Sequence, residues 1–349
     1  MIIPGVINKN YRQDMAIVRT RTQWTLTVFL LVIVFTFPIY LNTYWAGFLI
    51  FISITIIAVL GLHILTGLCG QFSLGQSAFL AVGAYASAVF IVKLHVSPWL
   101  TLPLSGITAG LVGGVFGFSA VRVKGFYLAM ATLAAQFIIV WVLMHWKSVT
   151  GGSDGLVIPS LTVGAFSFSK GNNLCYLAMA LALVMAIFAK NIQRTRLGRA
   201  FIAIRDNDLA AEMMGVNLFR YKFLAFFIGC FYAGIAGWLW NYYVRSINPE
   251  QFGVNESIWM LGMLIVGGMG SASGAIMGSV FIRLIDLFAQ YLSTVISQVF
   301  PNVGLAAFSA TGLIVFALVV VLFLVFEPRG LYHRWEIGKA SVRLHPYAR

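Results

Sequence analysis

Residues 305–326 read LAAFSATGLIVFALVVVLFLVF, 22 positions without one charge. A run of that length matches the roughly 20 residues that a helix needs to cross about 30 Å of hydrocarbon. Such runs recur along the chain, at Trp24–Tyr40, Trp45–Leu65, Ser77–Val92, Trp99–Ala120, Phe126–Trp146, Leu174–Phe188, Phe223–Tyr243, Ile258–Val266, Ala275–Leu292 and Leu305–Phe326. They are continuous rather than alternating, so a membrane barrel is excluded. With 60% hydrophobic and 9% charged residues, a chain of 349 cannot cover a soluble surface. The fold class read from this is an all-α polytopic membrane protein with 8–10 transmembrane helices. Ile258–Val266 is too short to cross alone and Ser77–Val92 is marginal. Each reads either as a crossing or as half of a re-entrant hairpin, which membranes tolerate only where protein surrounds the irregular backbone.

Lysine and arginine set the orientation. With the N-terminus inside, eighteen fall on internal segments and four, Lys93, Lys147, Lys170 and Arg245, on external ones. Both termini are therefore expected in the cytoplasm. The division is a basic N-terminal segment 1–23, a transmembrane domain 24–326 with an inner loop 190–222 and an outer loop 147–171, and a basic tail 327–349. The opening MIIPGVINKNYRQDMAIVRTRT has no short apolar core before a small-residue cleavage site, so no cleavable leader is expected. Basic residues beside an anionic leaflet each gain about 1 kcal/mol. The net charge of +13 is explained by this topology and by membrane lipid, with no nucleic acid needed. Cys69, Cys175 and Cys230 match no metal or disulfide spacing and read as small buried apolar residues.

The longest polar run, RTRLGRAFIAIRDNDLAAEMMGVNLFRYK from Arg194 to Lys222, lies on the inner side. It holds a short helix signature. Asp208 is read as the N-cap, accepting from free first-turn amides, and Gly215 as the left-handed C′ residue. Leu209, Ala210, Met213 and Met214 share a face. A helix this short is not stable alone. Two readings stay open: a peg for a groove on another protein, or a solvated helix lying on headgroups.

Three glycine-rich segments punctuate the chain. TGLCGQFSLGQ at Thr66–Gln76 and GGMGSASGAIMG at Gly267–Gly278 place small residues at membrane depth. Close helix packing and a broken helix lining a path both fit. TGGSDGL at Thr150–Leu156 sits in the outer loop and reads either as tight turns or as a landing surface. Arg283 and Asp286, three apart in the ninth span, are expected to pair. His63 is expected to pack or hydrogen bond rather than carry protons. The spans carry no Asp/Glu/His ladder of the kind ion-coupled transport uses. No His/Asp/Ser constellation points to an enzyme.

Taken together, GLCGQFSLGQSAFLAVGAYASA at Gly67–Ala88, VRVKGFYLAMATLA at Val121–Ala134, TGGSDGL and RTRLGRAFIAIRDNDLAAEMMGVNLFRYKFLAF at Arg194–Phe226 resemble a known family. It is the inner-membrane permease subunits of bacterial ABC importers for branched-chain amino acids, with relatives for urea. The chain resembles the longer of the two membrane subunits. The resemblance implies that 190–222 is the coupling loop. Ala211, Glu212 and Gly215 match its docking core, with Arg199, Asp208 and Met213 beside them. It implies two ABC ATPase subunits holding the ATP-Mg, since this chain has no Walker A sequence and no cofactor of its own. It further implies a second permease and an external substrate-binding protein docking near Gly152, Ser153 and Asp154. Gln71, Ser73 and Gln76 are candidates to line the pathway. The alternatives are a urea or short-chain amide permease and, in another class, an ion-coupled transporter.

Overall fold

A computed structural model describes residues 25, 29, 35–40, 42–118, 123, 125–163, 166–168, 172–299, 304–327 and 329–344. Most of the expected first span, the basic N-terminal segment, Arg122, Lys124 and Lys170 lie outside these residues. The described residues are mostly helical. α1 (Thr43–Leu62) runs on through a π-turn, His63–Leu68. Then come α2 (Gln76–Val92), α3 (Pro98–Gly117) and α4 (Phe126–His145). After the outer loop follow α5 (Asn172–Arg194), α6 (Arg196–Asp206), α7 (Asp208–Met213) and α8 (Leu218–Val244). The last are α9 (Val254–Gly267), α10 (Ala272–Val299), α11 (Gly304–Phe326) and α12 (Leu331–Leu344).

Six helices among the described residues are long and apolar enough to cross a membrane, and the bent pair Gly312–Phe326 and Leu331–Lys339 makes a seventh. The chain is an all-α polytopic membrane protein. The difference from ten expected spans has two sources. Most of the first span lies outside the described residues, and α2 and α9 are short, at 17 and 14 residues.

α8 is the hub, packed on α1, α2 and α3. Lipid gives helices no hydrophobic drive to associate, so contact depends on close approach and hydrogen bonds. Glycines provide the approach: a Cβ on Gly237 would lie 2.7 Å from the Ala84 amide nitrogen, and one on Gly234 would lie 2.7 Å from the Ala109 Cβ. Gly83 packs on Gly234 at the same crossing. Hydrogen bonds lock the register. Asn241 Nδ2 donates to the Ala84 carbonyl at 2.6 Å, and Trp238 Nε1 donates to Thr101 Oγ1 at 3.0 Å.

Outside the bundle the backbone forms two small antiparallel ladders. β1 (Leu156–Val157) pairs with β4 (Ser246–Ile247), with Leu156 opposite Ile247. This ties the outer loop to the end of α8. β2 (Leu161–Val163) and β3 (Phe166–Phe168) form a hairpin.

Gly83→Leu is expected to force the α2–α8 crossing apart, costing about 1–3 kcal/mol as an overpacked contact. A thermal melt in detergent should show a lower transition than wild type, and an unchanged melt would mean the crossing is not tight.

Candidate functional site

The inner polar run builds a compact unit. Thr195 caps α6 by accepting from the Gly198 amide. α6 buries Phe201 and Ile204 and leaves Arg199 exposed. α7 follows after one extended residue, Asn207, at φ −160° and ψ 107°. That residue, not Asp208, is the N-cap: its Oδ1 accepts from the Ala210 amide at 3.1 Å. The cap needs an extended backbone and a short side-chain oxygen, and Asn207 has both. Asp208, already helical, instead sits 3.6 Å from Lys222 Nζ at the root of α8. The end of α7 is as expected. Gly215 has φ +85°, its amide donates to the Glu212 carbonyl, and Val216 donates to Ala211. That pair of bonds is a Schellman closure.

The peg's outer side is bare. Ala211 is buried, whereas Glu212 is exposed and Leu209, Met213 and Met214 are 65%, 88% and 85% exposed. Among the described residues, little covers these three large apolar side chains.

The unit is bonded to the interrupted helix behind it. Arg205 Nη1 donates to the Gly67 carbonyl at 3.0 Å, at the end of the π-turn. Gln193 Nε2 donates to Gly270 in the second glycine-rich segment. His63 Nδ1 lies 3.0 Å from the Met269 carbonyl, so it joins the two segments as a hydrogen-bonding residue. A cavity of about 330 Å³, bordered by Gln71, Arg205, Asp208 and Lys222, separates the peg from the break. Cys69 also faces it. Burial pushes its thiol up to about 12 despite the opposing pull of Lys222, so it stays protonated at neutral pH.

Both glycine-rich segments interrupt helices. Between Leu68 and Gln76 the chain leaves the helix. Gln71 is 7% exposed and donates to the Cys69 carbonyl, and Ser73 accepts from the Gly75 amide. Gln76 Nε2 donates to Ala58 and Gly229, stitching α1 to α8. Gly229 is the twelfth of the 27 residues of α8, so α2 begins near the middle of the bundle. Its first amides need acceptors there. Ser77 donates to Ser257 Oγ at 2.9 Å, and Ala78 donates to Gln136 Oε1 at 2.8 Å. Gln136 Nε2 also donates to the Phe252 carbonyl at 2.7 Å. α9 therefore starts where α2 starts. The second segment combines a break at 268–271 with close packing, for Gly278 lies against Gly267.

On the outer loop TGGSDGL is a turn cluster. Gly151, Gly152 and Gly155 have φ of +77°, +65° and +73°. Gly152 is buried, while Ser153 and Asp154 face outward. Lys93 Nζ donates to the Ser148 carbonyl. Arg283 pairs with Asp286 as expected, at 3.7 Å, and also with Glu256 of α9, at 3.7 Å. Sequence reading missed Glu256, Ser257 and Gln136, whose partners lie on distant segments.

The described residues form a multispan membrane bundle with interrupted helices and an exposed, capped short helix. The profile of the family described as "Branched-chain amino acid transport system / permease component" matches residues 44–324, and the chain belongs to that family. The high-affinity branched-chain amino acid transport system permease protein LivM of Salmonella typhimurium is 32% identical over 253 residues. That alignment covers 66% of this chain and 60% of the relative. LivM of Escherichia coli matches to the same extent. LivH of Salmonella typhimurium is 26% identical over 304 residues, covering 80% of this chain and 91% of its own length. The chain thus spans about 60% of the LivM relatives' length. No solved structure matches it.

Gly215→Val leaves space unchanged, because nothing lies within 4 Å of a Cβ there. It forces a β-branched residue left-handed, at about 1–2 kcal/mol. Amide hydrogen exchange over residues 208–216 should speed up roughly tenfold, and unchanged protection would show that the closure does not hold the peg.

Proposed function

We propose that this chain is a permease subunit of an ATP-driven importer for branched-chain or other hydrophobic amino acids, set in the bacterial inner membrane with both termini in the cytoplasm. The observation that carries the reading is the peg. It is capped by Asn207, closed at Gly215 and bare at Glu212 and Met213. It is also bonded through Arg205 to the interrupted end of α1. A helix finished at both ends and apolar outside fits a groove on a partner, here each peg on one of two ABC ATPase subunits. Those subunits hold the ATP-Mg.

The mechanism follows from the attachments. When ATP draws the ATPases together, the peg moves with its groove. Asp208 passes the displacement to Lys222 on α8, and Arg205 passes it to Gly67 on α1. α1 and α8 are packed glycine to glycine and behave as rigid rods, so motion concentrates at the breaks flanking α2 and α9. Coupling of this kind requires rigid elements with two arrangements. The two permeases, this chain and a second homologous one, rock between outward- and inward-facing states. Gln71, at the cavity behind the peg, belongs to the inner mouth, with Ser73 and Gln76 shaping the break above it. Ser153 and Asp154, outward on turns held by Gly152, form the landing point for the external binding protein. Arg199 flanks the docked ATPase.

Glu212→Arg reverses the charge on the exposed face of α7. It should lower ATP-driven leucine uptake by the reconstituted complex at least a hundredfold, with normal amounts of the permease in the membrane. Wild-type uptake in that variant would remove the coupling role.

A further inference from the structure

The charged cluster in the membrane is not used by anything above. Thr55 is the thirteenth of the 26 residues of Thr43–Leu68, and Arg283 the twelfth of the 24 of Ala272–Val295. Both lie at mid-depth. Arg283 is 5% exposed, and a buried charge at that depth needs partners. Its pairing is loose. Nε donates to Thr55 Oγ1 at 3.1 Å, but the terminal nitrogens stand 3.7 Å from Glu256 and 3.7 Å from Asp286, outside hydrogen-bond reach. Its guanidinium carbon lies 3.9 Å from the centre of the Phe51 ring.

Phe51 stands between two cavities. On the side where α8 ends lies a vestibule of about 560 Å³, bordered by Thr43, Phe51, Tyr243, Asp286 and Gln290. That is the outer side in the orientation proposed above. Beneath Phe51 lies a second cavity, bordered by Thr55, Ser77, Trp240, Glu256 and Arg283. It measures about 20 Å³, room for one water molecule. Ile54, Leu80 and Met260 give it an apolar wall. The starts of α2 and α9 meet there, and helix starts favour an anion. Ser77 is 1% exposed, and its hydroxyl, at this cavity, has no hydrogen-bond partner among the described residues.

These features match one ligand chemistry. A zwitterion entering low dielectric needs a cation and an anion side by side. We propose that the cavity beneath Phe51 is a binding site for a zwitterionic amino acid with an apolar side chain, its carboxylate on Arg283 and Ser77 and its ammonium on Glu256. The inference rests on the importer reading and adds the recognition step inside the membrane. The ligand enters from the vestibule, Phe51 swings off Arg283, and Glu256 exchanges the guanidinium for the ammonium. Asp286 keeps Arg283 paired meanwhile. At about 20 Å³ the cavity holds one water molecule, so the ligand must widen it on entry.

The test uses the assembled permease–ATPase complex without the binding protein, titrated with L-leucine, with 4-methyl-2-oxopentanoate, which lacks the ammonium, and with isopentylamine, which lacks the carboxylate. Wild type should bind leucine at least tenfold tighter than either analogue. Glu256→Gln should weaken leucine at least tenfold while leaving the oxo acid unchanged. Ser77→Ala should weaken leucine and the oxo acid alike by a few-fold. A purely structural Glu256 would not change the preference between the two ligands. If both variants bind leucine as wild type does, the assignment is overturned. ATP-driven leucine uptake by the complete system separates the two readings. Uptake with unchanged variants refutes the site alone, and no uptake by wild type refutes the importer reading and the site with it.

Discussion

A backbone amide left bare in hydrocarbon costs several kcal/mol, and this fold interrupts its helices at mid-membrane. Everything else is arranged around that constraint. The amides at the start of α2 are met by Ser257 of α9 and Gln136 of α4, and Gln136 reaches on to the Phe252 carbonyl. Gln76 ties the same break to α1 and α8. The price of breaking a helix in lipid is a shell of buried amides and hydroxyls, and the breaks are where that shell is found.

The interruption brings a second consequence. A continuous helix transmits motion along its axis, whereas a broken one is a joint. Arg205 fastens the inner polar unit to one joint, through Gly67, and Gln193 fastens it to the other, through Gly270. His63 links the two segments to each other. The peg is thus attached at both breaks, beside α8, which packs on its neighbours through its glycines.

Much of this was legible in the chain itself. Hydropathy marks the apolar helices α1 to α5 and α8 to α11, because a membrane demands uncharged runs of a fixed length, and leaves the polar helices α6 and α12 unmarked. It marks α2 and α9 as short for the same reason. Gly215 was readable because a left-handed closure needs glycine, and Arg283 with Asp286 because a three-residue spacing is a local fact. The N-cap was misplaced by one residue: Asn207 and Asp208 carry the same chemistry, and only backbone geometry tells them apart. Ser257, Gln136 and Glu256 were invisible. Their partners lie on other elements, Ser77 being 180 residues from Ser257 and Arg283 standing on α10 opposite Glu256 of α9, and no local pattern encodes such a pairing.

The central claim is that the bare helix at 208–213 faces the cytoplasm and is covered there by an ATP-hydrolysing partner. Met213, 88% exposed, is the place to ask. With a Met213→Cys variant in native membranes, an impermeant maleimide should label inverted vesicles stripped of peripheral proteins. It should label them several-fold less when the ATPases are retained, and it should leave right-side-out vesicles unlabelled. Labelling from the outer face, or equal labelling with and without the ATPases, would contradict the account.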